Sequence, residues 1–114
     1  MHEAGSLHFD VQEHDASLVV SPAGEVDLST SPELREALKV AIRRKPARLV
    51  IKLDGVPSMD SSAIATLIEA MRLCKNESVV LVLCCVTERV RSVFEIARLD
   101  SVFDIRESLD DALA

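Results

Sequence analysis

The chain contains no tryptophan and no tyrosine, and only three phenylalanines in 114 residues. That scarcity argues against a platform on which nucleic-acid bases stack. Glycine is as sparse: Gly5, Gly24 and Gly55 stand too far apart to form a phosphate-cradling loop. Cysteine occurs three times, at Cys74, Cys84 and Cys85. The number is odd and two are adjacent, so neither a disulfide framework nor a CxxC metal motif follows. Reduced thiols in the cytoplasm fit this usage best. No window approaches the ~18 apolar residues of a membrane span. The opening MHEAGSLHF lacks the basic segment and apolar run of a secretory signal. An excess of positive charge is also missing. The net charge is −6 and the isoelectric point is near 5.0, which argues against a nucleic-acid partner.

What is present is the composition of a globular domain, 48% hydrophobic and 28% charged. The length suits one domain with one core, residues 1–114. Leu7 to Val11 alternates apolar and polar residues and predicts a short strand. Ala16 to Ser21 predicts a second, with His14 and Asp15 turning the hairpin and Pro22 to Gly24 ending the run. Ser31 is the expected cap of a helix, with Pro32 at its first position and Glu33 in its first turn. Leu34, Leu38, Ala41 and Ile42 share one face of that helix. Arg43, Arg44 and Lys45 suit its negative end, and Pro46 stops it. With Arg48, this basic run also offers contact to an acidic partner or to lipid headgroups.

LVIKL, Leu49 to Leu53, is apolar apart from Lys52 and predicts a central strand. A helix follows Asp60-Ser61-Ser62, with Ile64, Leu67, Ile68 and Met71 inward. Lys75 to Ser78 predicts a polar turn, and Val79 to Val86 a fully buried strand that places the cysteines in the core. Glu88 to Arg98 predicts a helix with Val90, Val93, Phe94 and Ala97 inward. Val102 to Ile105 predicts an edge strand, and Ser108 caps a final helix. The order β-β-α-β-α-β-α-β-α implies an α/β fold, a mixed sheet of four to five strands packed with about four helices. In such sheets, sites form where strand ends meet helix starts. Asp60, Ser61 and Ser62 occupy such a place.

There the plain role is a helix cap, in which a side-chain oxygen accepts bonds from free backbone amides. The functional alternative is a phosphoacceptor serine, because a helix start favours an anion. Nucleophilic catalysis lacks its partners: His2, His8 and His14 all lie in the N-terminal segment, and no GxSxG elbow is present. The histidines have no tight metal-ligand spacing either.

Three segments carry a resemblance to a known family: GEVDLSTSPELREAL (Gly24 to Leu38), LVIKLDGVPSMDSSAIATLIEA (Leu49 to Ala70) and VRSVFEIARLDSVFDIRESLDDAL (Val90 to Leu113). The chain resembles the STAS domain family, specifically bacterial anti-sigma factor antagonists, from about Ala16 to Ala114. The resemblance implies a non-enzymatic switch without a cofactor of its own. It implies that Ser61, directly after Asp60, is phosphorylated by an anti-sigma factor serine kinase, which supplies the ATP. The unphosphorylated form would bind that kinase and free a sigma factor, and a phosphatase would restore it. Asp60 and Ser62 flank the site, Ser58 and Met59 line its loop, and Asp27 matches an acidic position of the family's partner surface. Where the family commonly has glycine after the two serines, Ala63 stands here, adding a methyl group where a kinase backbone approaches. Two alternatives remain open. One is a cytoplasmic accessory subunit docked on the permease of a lipid-transporting ABC system. The other is an unphosphorylated STAS scaffold. A monomer, or a weak dimer through an exposed Phe103 or the adjacent edge strand, is expected.

Overall fold

A computed structural model describes residues 6–114. Nine elements follow in chain order: β1 (His8–His14), β2 (Ser17–Ala23), α1 (Ser31–Arg43), β3 (Arg48–Lys52), α2 (Ser61–Asn76), β4 (Val80–Cys84), α3 (Glu88–Ile96), β5 (Ile105–Arg106) and α4 (Leu109–Leu113). The strands form one sheet in the order β1-β2-β3-β4-β5. β1 runs antiparallel to β2, and every later neighbour pair is parallel. This is the α/β mixed sheet with four helices that the alternation implies.

Side-chain alternation divides the sheet between two cores. Leu18, Val20, Leu49, Ile51 and Leu83 join the apolar faces of α1, α2 and α3. Val19, Val50, Val82 and Cys84 point the other way, where Leu109, Ala112 and Leu113 of the short α4 cover them. β3 is central as expected, with Leu49, Val50 and Ile51 all buried. Arg48 also clasps α4 from below, donating from Nη1 to the carbonyls of Ala112 (2.7 Å) and Ala114 (2.9 Å).

Several boundaries differ from expectation. β1 extends to His14, and Asp15 with Ala16 makes the turn, Asp15 at φ 54°. β2 continues through Pro22. The last β2–β3 pair is Val20 with Ile51, and Gly24, two residues past Pro22, donates across the gap to the Gly55 carbonyl at 2.9 Å. Pro22 therefore turns its donor-free nitrogen to a stretch where the ladder has ended. Thr30, not Ser31, is the cap residue of α1, and Ser31 is its first helical residue. α2 absorbs Lys75 and Asn76, and the turn narrows to Glu77 and Ser78. The run from Val79 to Val86 is not buried throughout: Val80 is 53% exposed, and the strand ends at Cys84 because Cys85 takes φ 61°. Cys74 and Cys84 are buried and Cys85 is half-buried.

α3 stops at Ile96, which leaves Ala97 exposed. β5 has only two residues, because the N–H groups of Val102 and Phe103 both turn back to the Leu99 carbonyl. Phe103 is not exposed. It is buried against Phe94, with ring centroids 5.6 Å apart. A dimer through an exposed Phe103 is thereby removed. Ser108 caps α4 as expected, accepting from the Asp111 amide. Most of the basic run serves the fold: Arg44 pairs with Glu13, Lys45 with Glu77 at 3.3 Å, and Arg48 holds α4. Among the described residues, no helix is long and apolar enough to cross a membrane.

Candidate functional site

Beyond the ends of β2 and β3 the two segments touch once more. Val26 and Met59 form an isolated parallel bridge, closed by Val26 N–H to the Ser58 carbonyl and Asp60 N–H to the Val26 carbonyl, each at 3.1 Å. Both bridge side chains are buried, so the contact is anchored from below. Directly after the bridge, each segment reaches an aspartate and then leads into a helix: Asp27 before α1, Asp60 before α2.

The two aspartates accept matching sets of hydrogen bonds. Asp27 Oδ1 accepts from the Ser29 amide (2.9 Å), the Ser29 hydroxyl (2.7 Å) and the Thr30 amide (3.2 Å). Asp60 Oδ1 accepts from the Ser62 amide (2.9 Å), the Ser62 hydroxyl (2.5 Å) and the Ala63 amide (3.4 Å). Both segments thus hold an Asp-x-Ser turn: Asp60 takes up free amides at the start of α2, while Asp27 takes up the Ser29 and Thr30 amides just before α1, whose cap residue Thr30 makes no side-chain cap bond. The Ser29 hydroxyl is the largest cause holding the Asp27 pKa below its ordinary value; partial desolvation opposes it, and the amides of Ser29 and Thr30 assist. For Asp60 the Ser62 hydroxyl is the largest cause of the same lowering, again against desolvation, with the amides of Ser62, Ala63 and Leu28 assisting. Both groups are therefore negative at neutral pH.

Thr30 locks the first turn. It is fully buried, and its hydroxyl donates to the Glu25 carbonyl and accepts from the Asp27 amide, each at 2.9 Å. The sequence contained the signal for this pairing in its repeated Asp-x-Ser spacing, yet Leu28, Ser29 and Thr30 were not among the expected site residues.

The structure brings Asp27, Ser58, Met59, Asp60, Ser61, Ser62 and Ala63 into one neighbourhood, but with unequal access. Ser61 is exposed, is the first residue of α2, and its hydroxyl has no hydrogen-bond partner among the described residues. Ser62 is half-buried and its hydroxyl is committed to Asp60. Ser58 contributes its carbonyl to the bridge. Met59 lies beneath the surface, in the main core. Ala63 is likewise fully buried, so its methyl group faces the core and not an approaching backbone. The third position of the helix points inward, which corrects the expectation of a surface methyl group.

Other chemistry is not assembled here. Among the described residues, no group of three or more His, Cys, Asp or Glu side chains is placed to hold a metal ion. His8 and His14 lie on β1, and His2 falls outside the described residues. Burial pushes the Cys74 thiol up to about 11 and Cys84 up to about 12, so neither is a thiolate near neutral pH. Clefts of about 370 and 480 Å³ open elsewhere, the first at the C-terminal ends of α1 and α2 and the second by the β1–β2 turn. The site itself carries two aspartates, the half-buried Asp27 and the exposed Asp60, with the exposed Ser61 beside Asp60.

A five-stranded mixed sheet, with two Asp-x-Ser turns leading into helices and a family match over residues 8–112, defines the class: the chain belongs to the STAS domain family. It is 31% identical over 100 residues to the anti-sigma-B factor antagonist of Bacillus subtilis, covering 88% of this chain and 91% of that protein. The crystal structure of an anti-sigma factor antagonist from Mycobacterium paratuberculosis has a TM-score of 0.81 at 30% identity, covering 94% of this chain and 91% of that one. A putative anti-sigma factor antagonist from Thermotoga maritima has a TM-score of 0.85 at 16% identity, over 92% and 91% of the two chains, and shares the fold.

Proposed function

We propose that the chain is an anti-sigma factor antagonist, a phosphorylation-controlled partner switch in transcription regulation. Its unphosphorylated form binds an anti-sigma factor serine kinase and frees the sigma factor. Phosphorylation of Ser61 weakens that complex, and a phosphatase restores it. One observation carries the choice of residue: of the two adjacent serines, only Ser61 presents an exposed, unengaged hydroxyl, while Asp60 holds that of Ser62.

The site's electrostatics support a switch of this kind. A phosphate on Ser61 adds about −1.5 to −2 charges. The start of α2 tolerates that charge within the chain, since helix N-termini favour anions. A docked partner closed over the neutral Ser61 hydroxyl would have to strip water from that dianion and make room for it, and both oppose contact. The same modification is thus compatible with the fold and hostile to the interface.

The test is intact-protein mass spectrometry with peptide mapping on protein from its native cells, under growth and stress. Phosphate on Ser61 supports the switch. A chain unmodified under every condition overturns it and favours docking on an ABC permease.

A further inference from the structure

The Asp-x-Ser turns are twins in register. Val26 and Met59 pair across the parallel bridge. Counting two residues on from each reaches Leu28 on one segment and Ser61 on the other. Leu28 therefore holds, in the first turn, the place that Ser61 holds in the second. The first turn puts a large apolar side chain there, 78% exposed to solvent. Scattered exposed apolar residues are ordinary, so exposure alone decides nothing. Ile96, more exposed at 83%, sits at the end of α3 with no comparable surroundings.

What distinguishes Leu28 is how firmly it is presented. Its neighbours Asp27, Ser29 and Thr30 are tied to one another through Asp27 Oδ1, and Thr30 is tied to Glu25. The backbone link between the turns is the adjacent bridge, where the Asp60 amide donates to the Val26 carbonyl at 3.1 Å. A side chain held out on a fixed backbone loses little conformational freedom on binding. Interfaces concentrate their energy in such anchors when they enter a pocket.

Resting on the partner switch proposed above, we infer that Leu28 is the apolar anchor of the Ser61 interface. It enters an apolar pocket of the anti-sigma factor kinase, and that pocket is rimmed by cationic or N–H groups facing Asp27 and Asp60. The anchor seats the kinase over the Ser61 hydroxyl, so one surface serves both binding and modification.

The experiment uses a clarified lysate of the native cells, supplied with ATP, as the source of kinase. The purified full chain is added, and the initial rate of phosphate incorporation at Ser61 is followed by peptide mass spectrometry. Leu28→Ala is expected to lower this rate about tenfold. Leu28→Met, of similar volume, should retain most of it, and Ile96→Ala should match the parent chain. Because Leu28 is exposed, the thermal midpoint of Leu28→Ala should match as well, which separates anchoring from folding. If the parent chain is labelled at Ser61 and Leu28→Ala is labelled equally fast, the anchor is refuted and the switch stands. If the parent chain acquires no phosphate at Ser61, the switch fails and the anchor fails with it.

Discussion

The Ser62 hydroxyl donates to Asp60 Oδ1 at 2.5 Å, and that bond separates two serines that are chemically equal in the sequence. Asp60 and Ser62 hold the helix start, while Ser61 is spectator to it. Asp60→Ala should lower the unfolding free energy by about 1 kcal/mol, the ordinary cost of a lost N-cap. Ser62→Ala should cost about 0.5–1.5 kcal/mol through the lost hydroxyl bond. Ser61→Ala should stay within about 0.5 kcal/mol of the parent. Urea denaturation of the three variants checks this ranking; a Ser61→Ala loss equal to that of Asp60→Ala would make Ser61 part of the cap.

Acid should loosen both Asp-x-Ser turns. The folded-state pKa values of Asp27 and Asp60 are lowered, chiefly by the serine hydroxyls that bond them. An unfolded aspartate titrates near ~3.9. The stabilisation these groups supply is therefore complete above that value and is lost as pH falls through the lower folded values. Asp60→Asn keeps an acceptor but cannot titrate, so its stability should fall less steeply with acid. Adding Asp27→Asn should flatten the slope further. Chemical denaturation from pH 7 to pH 2 reads the effect, and an acid limb identical to the parent's in both variants would contradict it.

Phe103 and Val102 are neighbours with opposite fates. Phe103 fills the core against Phe94, and Val102 is 49% exposed. Phe103→Ala should cost about 3–5 kcal/mol, because it leaves a cavity that rigid neighbours do not fill. Val102→Ala should change stability by less than about 0.5 kcal/mol. Equal costs in urea melts would place Phe103 at the surface after all.

Gly55 tests the close approach beneath the site. A Cβ atom added there would stand 2.9 Å from the Pro22 carbonyl oxygen and 3.3 Å from Ala23. Backbone cannot swing aside as a flexible side chain would. Gly55→Ala should therefore lose about 1–3 kcal/mol, as overpacking commonly does. It should also shift the amide resonances of Gly24 through Thr30 in a proton–nitrogen spectrum, since Gly24 donates to the Gly55 carbonyl. A spectrum changed only at residues 54–56 would show that the contact yields without effect.

The alternation of elements was legible because each helix and strand declares itself locally. A cap at Asp60 or Ser61 and another at Ser108 were visible, LVIKL as a central strand, and Ser61 as a residue at a strand-to-helix joint; only the structure chooses Asp60 over Ser61 as the cap. Other features depend on partners distant in the chain. Ser, Thr and Ser stand together before Pro32, and Thr30 takes the cap position while its hydroxyl reaches back to the Glu25 carbonyl. Val102 to Ile105 has strand composition, yet Leu99 captures two of its amides and Phe94 captures Phe103. Val80 belongs to an apolar run, but α4 is too short to cover it. The Asp-x-Ser repeat is written plainly in the chain; what the sequence does not announce is that the sheet sets the two copies side by side.

The strands lie across the sheet in the order in which they occur along the chain. During synthesis, each new strand therefore emerges with its partner already made. No strand has to be inserted between two earlier ones, so every pairing is a move by one place and the loops to be closed stay short. The geometry allows such a sheet to lengthen from one edge, strand by strand, with the Arg48 side chain tying the five-residue α4 back to β3.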